Sequence, residues 1–204
     1  MEEFMLPIFK EDDIYTELMK THLNDRRIVL NGEIGDALVE EATLYIMQWN
    51  KEDRDRKIAP ENRKPIYIYL NSLGGDITYG LAFMSTIRSS ITPIITIVLG
   101  MAASMASYIP MVSTKAYAFE DSTICLHDGS VGVMQTRRKA NDVMSYVDRC
   151  SERMDKIVLQ NTKITQEKLD EIADKEYYIF ADEAKELGII DAIIGVDVSI
   201  EEIL

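Results

Sequence analysis

Ile94-Ile95-Thr96-Ile97-Val98-Leu99 runs straight into Gly100-Met101-Ala102-Ala103-Ser104-Met105-Ala106. The first six residues are an unbroken β-branched and apolar run, the pattern of a strand buried on both faces. The next seven are small except for two methionines, and they hold one serine where the strand pattern gives way to a helical one over 104–111. Upstream, a strand over 65–70 ends in the tight turn Asn71-Ser72-Leu73-Gly74-Gly75, and a helix follows over 78–89. Strand, helix, strand and helix in succession define βαβ crossovers, and hence an α/β chain with parallel strands.

The same alternation extends both ways. A short helical pattern over 14–19 precedes a strand over 27–32. Asp36 is placed to cap a helix with apolar positions at Leu38, Ala42, Leu44, Tyr45 and Met47. Residues 50–64 are almost wholly polar, carry Pro60 and read as an exposed loop. Two short strands follow at 115–119 and 123–126, then a long helix over 135–161 with Val143, Tyr146, Val147, Met154, Ile157 and Val158. Thr165 caps another helix. A strand over 177–180 leads into a helix over 181–188 that Gly188 terminates, and a final strand follows Asp191. Residues 1–13 have no clear period and read as an arm, so the domain spans 14–204.

Composition narrows the function. At 204 residues the chain forms one domain with a sizeable core. A net charge of −13 argues against a broad basic surface for nucleic acid. No apolar run reaches the roughly 18 residues of a membrane span, and Met1-Glu2-Glu3-Phe4 lacks the basic start of a signal peptide. Cys125 and Cys150 have no metal-ligand spacing and fit buried thiols in a reducing cytoplasm. No cofactor motif is present.

The chain has only two histidines. His22 lies in a polar segment and reads as a surface residue. His127 ends the apolar run Ile124-Cys125-Leu126. A serine nucleophile needs a neighbouring base, and histidine serves best near neutral pH. Ser104 at a helix start, Gly74 and Gly75 after a second strand, and the Met105 N–H together could form an oxyanion hole. Each feature alone is commonplace; their combination and order are not.

Asn71-Ser72-x-Gly74-Gly75, Gly100-x-Ala-Ala-Ser104-Met105, His127 and Glu183-Ala184-x-x-x-Gly188-x-x-Asp191 follow one another in the order of the Clp protease proteolytic subunit family, which the chain resembles from about residue 14 to 194. Asp13-Ile14-Tyr15, Arg27-Ile28-Val29-Leu30-Asn31-Gly32 and Tyr67-Ile68-Tyr69-Leu70-Asn71-Ser72 extend the likeness. The resemblance implies a crotonase-type, ClpP-like spiral of ββα units with a protruding handle helix at 135–161. It also implies a cytoplasmic serine endopeptidase acting on unfolded chains or peptides within two stacked heptameric rings. Ser104 would then be the nucleophile, His127 the base, and Gly74 and Met105 the oxyanion donors. Gly75, Asp76 and Ser130 would bind substrate as an added strand, and a Clp unfoldase ATPase of the AAA+ class would be the partner.

The chain also departs from the family. Leu73 stands where proline is usual, and Ala106 where glycine is. Asp128-Gly129-Ser130-Val131-Gly132 replaces the run that pairs with substrate. The third triad position holds Glu176, one methylene longer than the usual aspartate, with Asp174 as the nearby alternative. The arm that docks the ATPase is short. These differences mark a divergent branch, bacterial or phage-borne. They keep three other readings open: a phage prohead or scaffold protease, a catalytically silent ring subunit, and an enoyl-CoA hydratase or isomerase relative.

Overall fold

The computed structural model describes residues 14–203; the 1–13 arm lies outside the described residues. The described residues form seven strands, all but β4 and β5 separated by helices: β1 (Arg27–Asn31), β2 (Ile66–Ser72), β3 (Ile94–Ala103), β4 (Lys115–Phe119), β5 (Thr123–Leu126), β6 (Tyr177–Phe180) and β7 (Ala192–Ile194). They form one mixed sheet with the path β1-β2-β3-β4-β7, parallel throughout, and β5 and β6 branching from β3. Among the described residues only the β5–β6 pair is antiparallel.

The apolar run at 94–99 forms the first half of β3, and the strand continues through the small-residue segment to Ala103. Its first half pairs with β4 over Ile95–Val98, and its second half pairs with β5 over Met101–Ala103. Between the two halves the register against β2 shifts. Leu70 faces Val98, but Ser72 faces Ala102, so Leu99, Gly100 and Met101 stand opposite Asn71 alone. The Asn71 side chain fills this bulge. Its Oδ1 accepts from the Met101 N–H at 3.0 Å and its Nδ2 donates to Asn31 Oδ1 at 2.9 Å. Gly100 leaves the room, since a Cβ there would sit 3.0 Å from Asn71 Oδ1.

Helices cover the sheet: α1 (Ile14–Asn24), α2 (Asp36–Asp55), α3 (Ile77–Ser89), α4 (Tyr108–Val112), α5 (Arg137–Asn161), α6 (Gln166–Ile172) and α7 (Ala181–Glu186). The core draws on alternate residues of β2 (Ile66, Ile68, Leu70), on Phe83 and Met84 of α3, and on Ile109 of α4. Thr165 caps α6 as expected, accepting from the Lys168 N–H. Gly188, at φ +72, follows the end of α7 and donates to the Lys185 carbonyl.

Three expectations need correction. The N-cap of α2 is Gly35, not Asp36, whose carboxylate instead accepts from the Ala37 N–H. Residues 50–55 are the last turns of α2 rather than loop. Its buried stripe is Val39, Ala42, Ile46, Trp49 and Asp53, while Leu44 and Met47 face outward. A charge ended the apparent period: Asp53 is fully buried because it pairs with Arg26. His22 is half-buried and packs edge-on against Tyr69 at 5.8 Å.

The Asp53 carboxylate accepts from Arg26 Nη2 at 2.7 Å, Arg26 Nη1 at 2.8 Å and the Thr92 hydroxyl at 2.6 Å. The Arg26 hydrogen bond is the main cause holding this carboxyl below its ordinary pKa, against the cost of burial. Because the folded pKa is depressed, the contribution is present above the unfolded value near pH 4 and is lost as pH falls through the folded one. Asp53→Ala strands the buried Arg26 charge, and urea unfolding at pH 7 is expected to show a loss of about 3–5 kcal/mol. A loss below about 1 kcal/mol would mean that Arg26 finds water instead.

Candidate functional site

Strand register gathers the site at one end of the sheet. In the parallel β3–β5 pair, Ala103 faces Cys125, so Ser104 is level with Leu126 and one residue short of His127. In the antiparallel β5–β6 pair, Leu126 faces Tyr177, which puts His127 level with Glu176. The three residues are far apart in sequence, yet two ladders of a few residues bring them to one sheet edge.

Ser104 has φ +52, the left-handed region that a side chain rarely adopts. It is the first residue of a short 3₁₀ turn, Ser104–Ser107, that leads into α4. Such a conformation costs on the order of 1–3 kcal/mol and persists only where the surroundings fix it. They do so here. The Ser107 hydroxyl donates to the Ser104 carbonyl at 2.7 Å. The buried Met105 side chain lies against Gly80 of α3, where a Cβ would sit 2.3 Å from its Cε. Gly74 closes the other side: a Cβ there would lie 2.6 Å from Ser104 Cβ, 2.7 Å from the Ala103 oxygen and 3.1 Å from the Met105 nitrogen.

The glycine turn is fixed in the same way. The Ile34 N–H donates to the Gly74 carbonyl at 2.8 Å, and the Asp76 N–H donates to the Ile34 carbonyl at 2.9 Å. A Cβ on Gly75 would meet that carbonyl at 2.4 Å. The Gly74 N–H donates to the Ser72 hydroxyl at 3.1 Å. An incoming oxyanion would have to compete with that hydroxyl. One oxygen of the Asp76 carboxylate, Oδ1, caps α3 by accepting from the N–H groups of Thr78 and Tyr79. Ser130 lies in the exposed segment between β5 and α5.

His127 Nδ1 is hydrogen-bonded to Glu176 Oε1 at 2.9 Å. That bond is the main cause lowering the Glu176 carboxyl pKa, which keeps it ionised at neutral pH. Asp174 is occupied elsewhere: at φ +60 it gives its N–H to Asp128 Oδ2 at 3.0 Å. The second Glu176 oxygen, Oε2, accepts from the Cys125 thiol at 3.5 Å. Burial, then the contact with Glu176, pushes the Cys125 thiol up to about 11, so it stays a protonated donor. By sequence alone Cys125 reads as a plain buried thiol. The period-2 pattern of β5 put it on the same face as His127, but nothing in the sequence showed that the longer glutamate would reach it.

Ser104 and His127 are not joined. Among the described residues the Ser104 hydroxyl makes no hydrogen bond, and His127 Nε2 is a buried nitrogen without a partner. The second cysteine, Cys150, is a free buried thiol, and no group of metal ligands occurs among the described residues. No helix among them is long and apolar enough to cross a membrane.

This arrangement, a strained serine at a strand-to-helix turn with a carboxylate-paired histidine beside it, is one that hydrolytic enzymes use. The family model for Clp protease matches residues 10–197, and the chain belongs to the Clp protease family. It is 32% identical over 187 residues to the ATP-dependent Clp protease proteolytic subunit 2 of Prochlorococcus marinus (strain NATL2A), covering 89% of this chain and 86% of the relative. It is also 32% identical over 188 residues to proteolytic subunit 3 of Synechococcus sp. (strain CC9605), covering 90% and 87%. The parallel-stranded α/β fold is that of the family.

The packing around Gly74 is directly testable. Gly74→Ala forces a Cβ onto backbone as well as a left-handed φ, and is expected to cost more than about 3 kcal/mol in chemical denaturation. Gly129, also at positive φ, has open space around it. Gly129→Ala is expected to cost only the conformational term, about 1–2 kcal/mol. Equal losses for the two variants would mean that Gly74 is not in close contact with Ser104.

Proposed function

We propose that this chain is a serine endopeptidase subunit of the Clp type, with Ser104 as nucleophile, His127 as general base and Glu176 as the acid that orients it. The observation that carries this reading is the His127–Glu176 hydrogen bond beside the left-handed turn at Ser104, with His127 Nε2 buried and unpartnered. A nitrogen in that state is matched to a hydroxyl proton. In apo enzymes such bonds are often long and tighten when substrate binds.

In the reaction, His127 Nε2 takes the Ser104 proton as Oγ attacks a peptide carbonyl. Glu176 fixes the tautomer and stabilises the imidazolium. The N–H groups of Met105 and Gly74 hold the oxyanion, Gly74 exchanging its bond to Ser72. The imidazolium gives its proton to the leaving amine, and water then releases the acyl group by the same route. The substrate is an extended polypeptide paired along the glycine turn at Gly75, with Ser130 on the facing loop.

The subunit acts in an oligomer, which we take to be two stacked heptameric rings. α5 supports this. Its C-terminal half buries Cys150, Met154, Ile157 and Val158, while Val143, Met144 and Tyr146 remain exposed apolar residues on its N-terminal half. A Clp ATPase is the partner that the relatives' names point to. A second reading, a catalytically silent ring subunit, draws on the missing Ser104–His127 bond.

A fluorophosphonate probe separates the two. Labelling that Ser104→Ala abolishes, with peptidase activity falling by about 10⁴- to 10⁶-fold, supports the enzyme. An assembled, unlabelled and inactive wild type supports the silent subunit.

The acid side of the site gives a graded expectation. Glu176→Gln presents the wrong hydrogen-bonding group to His127 and should lower kcat by about 10²- to 10⁴-fold. Cys125→Ala removes one weak donor to Glu176 and should lower kcat about two- to tenfold with KM little changed, and Cys125→Ser should recover most of the loss. Full activity of Glu176→Gln would leave a Ser–His dyad.

A further inference from the structure

A cleft of about 330 Å³ opens beside His127. Tyr108, four residues after Ser104, lines it, together with Asp128, Asp155, Gln166 and Asp170. Val158 and Leu169 supply apolar wall. Three carboxylates therefore share a small space next to the catalytic base, and the lining holds no lysine or arginine. None of the three has an ion pair among the described residues. Asp128 accepts the Asp174 N–H at 3.0 Å, and Asp170 accepts from Gln166 Nε2 at 2.8 Å. Asp155, half-buried on α5, has no hydrogen bond among the described residues.

Tyr108 supplies the second, independent observation. It is only 7% exposed, yet its hydroxyl has no hydrogen-bond partner among the described residues. The ring is buried, but the hydroxyl oxygen is not, and it opens into the cleft. Its neighbours are the same carboxylates: burial first, then the charges of Asp155 and Asp128, hold the phenol protonated. Asp155 is strained electrostatically too, its carboxyl raised by burial first and then by Asp128 and Asp170. Carboxylates crowded together without a cation lack the positive charge that would relieve them, and the Tyr108 oxygen beside them is free to accept from a cationic N–H.

We propose that this cleft receives the side chain of a lysine or arginine at the residue whose carbonyl Ser104 attacks, so that the peptidase cuts after basic residues. The aliphatic stem lies against Val158 and Leu169, as long cationic side chains commonly do. The charged head reaches Asp155, with Asp128 and Asp170 at the rim. The inference rests on the serine peptidase reading above and names its substrate class.

The test uses quenched fluorescent peptides that differ only at that residue, carrying lysine, arginine, norleucine, leucine or glutamate, cleaved by the native assembly. Lysine or arginine is expected to exceed norleucine at least about tenfold in kcat/KM, the scale of one charge-assisted hydrogen bond. Asp155→Asn should shrink the lysine-to-norleucine ratio at least threefold. Asp170→Asn, at the exposed rim, should shrink it less, and covers the case in which Asp155→Asn does not fold. A wild type that cleaves norleucine or leucine as well as lysine overturns the inference, as does a ratio unmoved by both variants.

A binding arm keeps this apart from the catalytic reading. Calorimetry on the Ser104→Ala assembly compares product peptides ending in lysine and in norleucine. A lysine preference there upholds the cleft even if the wild type proves unlabelled and inactive, and its absence overturns the cleft even if the wild type is a peptidase.

Discussion

Leu99, Gly100 and Met101 stand opposite the single residue Asn71, and the rest of the site follows from that mismatch. A regular ladder would carry β3 past β2 with every carbonyl and N–H paired. The extra residues bend the strand and increase its local twist. The Met101 N–H would be left without its ladder partner, but the Asn71 amide oxygen accepts it. The two halves of β3 can then serve different neighbours, β4 before the bulge and β5 after it. Without the bend, β5 would have no edge to join, and His127 would have no fixed position relative to Ser104.

Glu176 is held at the same edge. An extra methylene moves a carboxylate by more than 1 Å and gives it one more rotatable bond, so a glutamate in this position needs to be held at both oxygens. Glu176 is, by His127 at one and by the Cys125 thiol at the other. Its side chain is 57% exposed, so packing alone does not confine it. The thiol is a weak donor, but it is buried on β5 two residues before His127, and the same strand therefore positions both of the carboxylate's partners. A charged acceptor strengthens the bond.

The sequence was legible where one element decides the outcome. The β-branched run at 94–99, the glycine turn at 71–75 and the cap at Thr165 each follow from local chemistry, and the α/β order follows from their alternation. It was illegible where two distant residues act together. Asp53 looks like one more charge in a polar stretch until Arg26 and Thr92 are seen around it, and α2 runs on through six residues of that stretch, 50–55. Asn71 reads as a turn residue, though its side chain mends a strand 30 positions away. Ser104, His127 and Glu176 were legible as residue types in order. Their positions depend on two ladder registers, and no pattern within either strand fixes a register against its neighbour when both faces are buried.

Three unpartnered features sit close together in this fold: the Ser104 hydroxyl, His127 Nε2 and the Tyr108 hydroxyl. Of these only His127 Nε2 is a buried atom, and a buried polar group left unpaired costs on the order of 1–3 kcal/mol; Ser104 adds the cost of its left-handed backbone. Away from this edge several buried polar groups are matched, although His22 Nδ1 on α1 is buried without a hydrogen-bond partner among the described residues. Asp53 has three hydrogen bonds, Ser122 gives its hydroxyl to the Val98 carbonyl, and Thr96 meets Ser113. At the end of β3 and the start of α4 the left-handed serine and two hydroxyls without a hydrogen-bond partner among the described residues gather near His127 Nε2, which follows β5. A peptide carbonyl carbon for Ser104, a proton for His127 and an acceptor or bridged cation beside Tyr108 would each satisfy a group the folded chain leaves open.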